Sequence, residues 1–156
     1  MIAKAGRIAQ LQPENSDMTA TKQTTPVVTA SLVPEHRRMS CVFRYFGRFS
    51  VEVEQYTQAT MRESCEAYTG GVWDYYELSN GGFYMAPNGA ETYSVSRTNY
   101  FEGELSAEAV GIMTTLAGLM IAWGRYEVDM LGLRYESLID YARSHAEWSL
   151  IRAALD

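Results

Sequence analysis

The chain has 156 residues, 47% of them hydrophobic and 21% charged, with a formal net charge of −6. That length gives one domain of common size, and so ordinary a composition requires no disulfide or metal staple. The acidic balance disfavours a generic nucleic-acid binder, whose footprint is a basic face. It is also too weak for imitation of DNA. A duplex carries about one charge per 1.7 Å of axis, so a mimic tens of ångströms long needs a far denser acidic array.

The stretch through Thr25 is polar, with Gln10, Gln12, Pro13, Glu14, Asn15, Ser16 and Asp17 ahead of a Thr-rich run. Few large apolar groups offset the cost of ordering it. Residues 1–25 are therefore expected to be a flexible leader and 26–156 the folded domain. No apolar run of the kind a signal peptide needs occurs there. The uncharged stretch over 109–123 is shorter than the ~20 residues of a bilayer span and contains Gly111, Thr114, Thr115 and Gly118, so a buried helix is expected. These features lead to the expectation of a cytoplasmic protein with no membrane partner.

The run Val27-Val28-Thr29-Ala30-Ser31-Leu32-Val33 is β-prone and ends at Pro34. A basic cluster follows, comprising His36, Arg37, Arg38, Arg44 and Arg48. Its plain reading is a solvated or ion-paired face of an acidic protein; its functional reading is a contact for phosphate or an acidic partner. From Ser50 to Tyr68, Val53, Tyr56, Thr60, Met61, Cys65 and Tyr68 recur at helical spacing. Ser50 is the expected N-cap and Gly70-Gly71 the expected stop.

Between Trp73 and Ala86 the pattern predicts a β-hairpin closed by a two-residue Asn80-Gly81 loop of type I′, with Ser79 opposite Gly82. Counting outward, Leu78 faces Phe83 and Tyr76 faces Met85. That assigns Tyr76, Leu78, Phe83 and Met85 to the core. Trp73, Tyr75, Glu77, Tyr84 and Ala86 fall on the opposite face. A third strand over 91–97 is expected to continue the sheet through a three-residue loop, with Tyr93 opposite Met85 and Val95 opposite Phe83.

Ser106 is the expected N-cap of a central helix, with Leu105 stapled onto Val110. That helix runs through Ile112, Met113, Leu116, Leu119, Met120 and Trp123, with Gly124 as a break or kink. An amphipathic helix is predicted over 128–144, and Trp148, Ile151 and Leu155 mark a last short one. The fold class expected is α+β: a single domain in which a small antiparallel β-meander packs against several α-helices.

No catalytic signature stands out. The chain has no G-x-S-x-G, H-E-x-x-H, P-loop or G-x-G-x-x-G segment. His36 and His145 do not share a ligand-spaced cluster, so no metal is expected. Cys41 and Cys65 lack C-x-x-C spacing and read as packed thiols of a reducing compartment. Pairs such as Glu52/Glu54, Glu102/Glu104 and Asp74/Glu77 read as solvated or helix-end charges. The aromatic residues Trp73, Tyr75 and Tyr84 have a core reading and two surface readings, a protein-binding hot spot or a base-stacking platform. Asp74 and Glu77 beside them disfavour the last.

Three segments carry a family resemblance. Val33-Pro34-Glu35-His36-Arg37-Arg38-Met39, followed by Arg44-Tyr45-Phe46-Gly47-Arg48, resembles the opening of the KlcA/ArdB-type antirestriction proteins. Gly70-Gly71-Val72-Trp73-Asp74-Tyr75-Tyr76-Glu77-Leu78-Ser79-Asn80-Gly81-Gly82-Phe83-Tyr84-Met85-Ala86-Pro87 is similar to that family's central signature. Phe101-Glu102-Gly103-Glu104-Leu105-Ser106-Ala107-Glu108-Ala109-Val110-Gly111-Ile112 matches its next block. The similarity runs from Pro26 and weakens after Trp123.

The resemblance implies a small α+β protein of plasmids or other mobile elements that blocks type I restriction of incoming unmodified DNA. It brings no catalytic residue, cofactor or metal. The partner it implies is the type I restriction complex or an associated host factor. Trp73, Tyr75, Glu77, Tyr84, His36, Arg37 and Arg38 are the candidate partner-binding residues, and stable DNA binding is not expected. Two other readings stay open: a nucleic-acid-binding accessory protein using His36, Arg37, Arg38 and the aromatic face, and an enzyme built on Cys41 or Cys65.

Overall fold

A computed structural model describes residues 24–156, so the expected leader over 1–25 lies almost wholly outside the described residues. The elements run β1 (Ala30–Leu32), α1 (Arg38–Phe46), α2 (Ser50–Ser64), β2 (Trp73–Leu78), β3 (Phe83–Pro87), β4 (Thr92–Ser96), β5 (Glu102–Ser106), α3 (Ala107–Tyr126), α4 (Asp129–Ala142) and α5 (Trp148–Leu155). Strands β1, β2 and β3 form one antiparallel sheet, and β4 pairs with β5 in a second. The class is α+β, as expected.

The hairpin register differs by one residue from the expected one. Glu77 lies opposite Phe83, Tyr76 opposite Tyr84 and Tyr75 opposite Met85. A type I′ loop needs positive φ at both Asn80 and Gly81, yet only Gly81 has it, at 86°. The Gly81 N–H bonds to the Leu78 carbonyl at 3.1 Å, and the Leu78 N–H to the Gly82 carbonyl at 2.9 Å. Those bonds describe a three-residue loop, Ser79-Asn80-Gly81, in which a type I turn ends on a left-handed glycine. Asn80 holds the turn by accepting the Gly82 N–H and donating to the Ser137 carbonyl of α4.

One residue of slip exchanges the faces. Trp73, Tyr75, Glu77, Phe83 and Met85 now share one face, while Asp74, Tyr76, Leu78, Tyr84 and Ala86 share the other. On the first face Phe83 meets Tyr45 and Phe46 of α1 at centroid distances of 5.4 and 5.2 Å. On the second, Tyr76 stacks on Tyr84 at 4.7 Å, and Tyr84 on Tyr141 of α4 at 5.7 Å. Strand β3 is accordingly buried on both faces along its whole length.

The expected third strand over 91–97 does not join this sheet; β1 does, on the far side of β2. The outer edge of β3 is already closed by α3. Thr115 Oγ1 accepts the Met85 N–H at 3.2 Å and donates to the Met85 carbonyl at 3.3 Å. A helix that satisfies both edge groups leaves no place for another strand. Strand β4 instead folds back on β5, burying Val95 and Leu105.

Helix α3 is the hub, with α2, β3, α4 and α5 around it. Ser106 caps it as predicted, its hydroxyl accepting the Ala109 N–H at 3.1 Å. Gly124 neither breaks nor kinks it out of helical form; the stop is Glu127, in the left-handed conformation with φ 52°. At 20 residues α3 is long and apolar enough to cross a membrane by length and composition, but most of its apolar stretch is buried in the fold.

Three other boundaries depart from expectation. Helix α1 is an element the sequence reading did not anticipate. It begins after a 3₁₀ turn, Glu35–Arg37, and buries Cys41, Val42, Tyr45 and Phe46. Ser50 does not cap α2, because the chain enters through a second 3₁₀ turn, Gly47–Phe49, that leaves Ser50 already helical. The helix stops at Ser64 rather than at the glycine pair, as buried Cys65 turns extended. Gly70 and Gly71, with φ of 105° and 137°, then turn the chain toward β2.

Candidate functional site

The first helix presents one row of side chains to β2. Arg37 closes the 3₁₀ turn ahead of the helix, and Cys41 and Arg44 follow it on the helix at i+4 and i+7. All three reach Glu77. Its Oε2 accepts from Arg37 at 3.2 Å, its Oε1 pairs with Arg44, and the Cys41 thiol lies 3.5 Å from Oε1. Next to them Arg38 donates to Asp74 at 2.8 Å and lies over the Tyr75 ring, 5.7 Å from its centroid. Asp74 also accepts from Asn88, and the Tyr75 hydroxyl donates to Glu54 of α2 at 2.6 Å. Arg37, Arg38 and Arg44 of the basic cluster are thus ion-paired.

The electrostatics of this seam suit holding rather than reacting. Burial, then the charge of Glu77, pushes the Cys41 thiol up to about 11 despite the two arginines. A thiol so raised stays protonated near neutrality and is a poor nucleophile. Burial and the Glu54 carboxylate likewise raise the Tyr75 hydroxyl. The recess among Arg37, Ser40, Cys41 and Arg44 is only about 120 Å³, room for a few waters at about 30 Å³ each. Cys41 and Cys65 are both free and buried.

The candidate residues fall into three groups. Arg37, Arg38, Glu77 and Tyr75 meet in the seam, and His36 is exposed on the turn that leads into it. Trp73 and Tyr84 are corrected to core. Trp73 is buried with its indole N–H on the Tyr68 hydroxyl at 2.7 Å. Tyr84 is 1% exposed and lies on the opposite face of the hairpin from Tyr75 and Glu77. The single aromatic face expected from the sequence is thus divided between the two faces of the hairpin.

A second polar cluster, which the sequence did not single out, surrounds Glu108 in the first turn of α3. Its Oε1 accepts from Tyr84 at 2.9 Å and from Tyr141 at 2.8 Å, and its Oε2 is 3.4 Å from His145 Nε2. Burial raises the carboxyl, but the two hydroxyls and the histidine outweigh it and hold Glu108 below its ordinary value. Burial and Glu108 push Tyr141 up to about 12. Tyr84, Tyr141 and His145 lie 24 to 37 residues from Glu108 in the chain, so no local spacing ties them to it. The cluster ties β3, α3 and α4 together. Among the described residues no group of three His, Cys, Asp or Glu side chains could hold a metal ion.

The sequence and fold also have counterparts. Residues 66–156 match the family model of an antirestriction protein. An antirestriction protein KlcA of Escherichia coli is 43% identical over 136 residues, covering 83% of this chain and 95% of that one. Another KlcA from Escherichia coli is 39% identical, covering 89% of this chain and all of the other. A solved structure superposes with a TM-score of 0.76 at 43% identity, covering 83% of this chain and 95% of its own. It belongs to work on KlcA and ArdB proteins, which show a novel fold and antirestriction activity against type I DNA restriction systems in vivo but not in vitro. A match of this extent in sequence and in fold places the chain in the KlcA/ArdB family of antirestriction proteins.

Proposed function

We propose that this protein relieves type I restriction of incoming unmodified DNA by binding, without catalysis and without imitating DNA. The observation that carries the proposal is the 43% identity to a KlcA across 95% of that relative, combined with the in vivo activity reported for KlcA and ArdB. Activity in cells but not in vitro suits a protein that needs a component of the living cell. The partner is accordingly the restriction complex or an associated host factor, met in the cytoplasm of the cell receiving the DNA.

The chemistry of the site supports a non-catalytic role. The Cys41 thiol is raised, and the small recess beside it is well below the roughly 300–1,000 Å³ of substrate pockets. Mimicry of DNA has little to work with. Asp74, Glu77 and Glu108 are engaged by arginines, tyrosines and a histidine, and a net charge of −6 is sparse beside the charge density of a duplex. A nucleic-acid role is weakened by the chain's net charge of −6, since such a role calls for a basic face.

The test is plating of unmodified phage on a type I restricting strain that expresses the protein. Plating efficiency should rise there and stay unchanged on a strain without the restriction system. No rise at good expression overturns the proposal.

A further inference from the structure

We infer that the outer face of α1 is a docking surface for an acidic segment of another protein, one that inserts an apolar side chain. The inference rests on the antirestriction reading for its biological meaning and on local geometry for its chemistry.

The inner face of α1 is spent on the core through Cys41, Val42, Tyr45 and Phe46. The outer face carries Met39, 88% exposed, and Phe43, 65% exposed, one turn apart. Neither contributes to the core, and phenylalanine is a poorer helix former than lysine, glutamate or alanine. Two large apolar side chains left side by side in water on one helix form an informative patch, whereas scattered ones do not.

Charge then selects the partner. Residues 37–48 hold four of the chain's 13 basic residues, while all 19 acidic residues lie elsewhere. Arg37 and Arg44 share the single carboxylate of Glu77, yet their side chains stay 48% and 64% exposed. Arg48 has no ion-pair partner among the described residues and is held over the Phe49 ring at 4.7 Å. Exposed His36 adds to the donors, and Glu35 on the same turn offsets one charge. Arg44 directly follows Phe43, so the apolar pair has at its edge a cation held by Glu77, and Arg48, four residues further on, is held over the Phe49 ring. Such preorganisation lowers the ordering cost of binding. An apolar centre with a polar rim is the anatomy of a protein interface.

Nucleic acid fits this surface less well. Met39 and Phe43 would meet no complementary group on a phosphate backbone, and the chain as a whole is at −6. The occupant that suits both features is an amphipathic polypeptide with Asp or Glu flanking a Leu or Phe anchor.

Two experiments separate this inference from the functional reading. In the first, a labelled synthetic helical peptide with Glu on its flanks and Phe and Leu one turn apart is titrated with the purified protein. A second peptide, with Lys in place of every Glu, serves as the counterpart. The Glu peptide should bind, more weakly as salt rises, and the Met39→Ser/Phe43→Ser variant should bind it about tenfold or more weakly, the scale of a hot-spot loss. Arg48→Glu should also weaken it, and Tyr100→Ser, at a 97% exposed site far along the chain, should not. Absence of Glu-peptide binding, equal binding of the Lys peptide, or retention by the double variant overturns the surface. So does a mobility shift of random-sequence duplex DNA that the double variant abolishes.

In the second, the same variants are assayed for relief of restriction, with urea unfolding as the control for folding. The double variant should lose relief while its unfolding midpoint holds, and full relief by it also overturns the surface. Failure of relief in the unaltered protein overturns the functional reading alone, since the peptide titration reads the surface without it.

Discussion

Gly111 and Gly124 lie on the same helix, and the same substitution should move stability in opposite directions. In a helix interior, Gly→Ala is favourable by about 1 kcal/mol from propensity alone. At Gly124 an added Cβ meets nothing within 4 Å, so the gain should appear in full. At Gly111 it falls 2.6 Å from Ala86 Cα, Ala86 Cβ and the Met85 carbonyl oxygen. These are atoms of β3 itself, fixed in the sheet, so no rotamer change relieves the overlap. Helix and strand must part by roughly an ångström, the gap between 2.6 Å and ordinary contact near 3.5–4.0 Å. Overpacking of this kind costs about 3 kcal/mol at the upper end of its usual range. Parting also strains the Thr115–Met85 pair that closes the sheet edge. The net for Gly111→Ala is a loss of about 2 kcal/mol or more, and for Gly124→Ala a gain of about 1. In thermal unfolding these correspond to a fall of roughly 4–8 °C and a rise of roughly 2–4 °C for a domain of this size. Urea unfolding with unchanged m-values would confirm that the native state is the one affected. A Gly111→Ala protein as stable as the parent would refute the claim that α3 closes the β3 edge by direct backbone contact.

Three further outcomes are expected. Tyr84→Phe keeps the stacked ring and removes one donor to Glu108, which should lower stability by about 1–2 kcal/mol in urea titration; an unchanged midpoint would mean that the bond contributes nothing. Because Glu108 is held below its ordinary 4.5 when folded, its contribution is present above that pH and lost as pH falls through the folded value, so acid should destabilise the parent more steeply than Glu108→Gln below about pH 4.5, and parallel acid limbs would contradict this. With the Cys41 thiol at about 11 and both cysteines buried, iodoacetamide at pH 8 should leave the native protein unmodified and label two thiols in urea; rapid native labelling would show that the thiol is accessible.

The parts of the fold that could be read in the chain are those set by local chemistry. Ser106 followed by a long apolar run specifies a capped helix, and the cap and helix are found there. The hairpin location was equally legible, but its register was not. Asn-Gly serves both a two-residue type I′ loop and the three-residue loop with a left-handed glycine. The usual arbiter is alternation of apolar and polar residues, and β3 is buried on both faces, so Phe83-Tyr84-Met85-Ala86 offers no alternation to read. The fate of the strand over 91–97 was decided farther away, by Thr115 and Gly111 occupying the edge it was expected to use. Long-range competition for an edge leaves no trace in local pattern.

The site follows the same division and explains where to look for function in this family. The hairpin signature is the most distinctive segment of the chain, yet its aromatics Trp73 and Tyr84 are interior, and Tyr75, Asp74 and Glu77 serve as anchors for α1 and α2. Its distinctiveness comes from a tight double-faced packing problem rather than from contact with a partner. The arginines of α1 were visible in the sequence, but α1 itself was not, since its apolar positions at Cys41, Val42, Tyr45 and Phe46 are interleaved with exposed Met39 and Phe43. Those two residues blur the amphipathic pattern because they do not obey the burial rule that produces it. A residue that violates the folding pattern without a structural reason is better explained by an interaction outside the chain. On that argument the surface to test in an antirestriction protein of this fold is the outer row of α1, and the conspicuous hairpin is the frame that holds it in place.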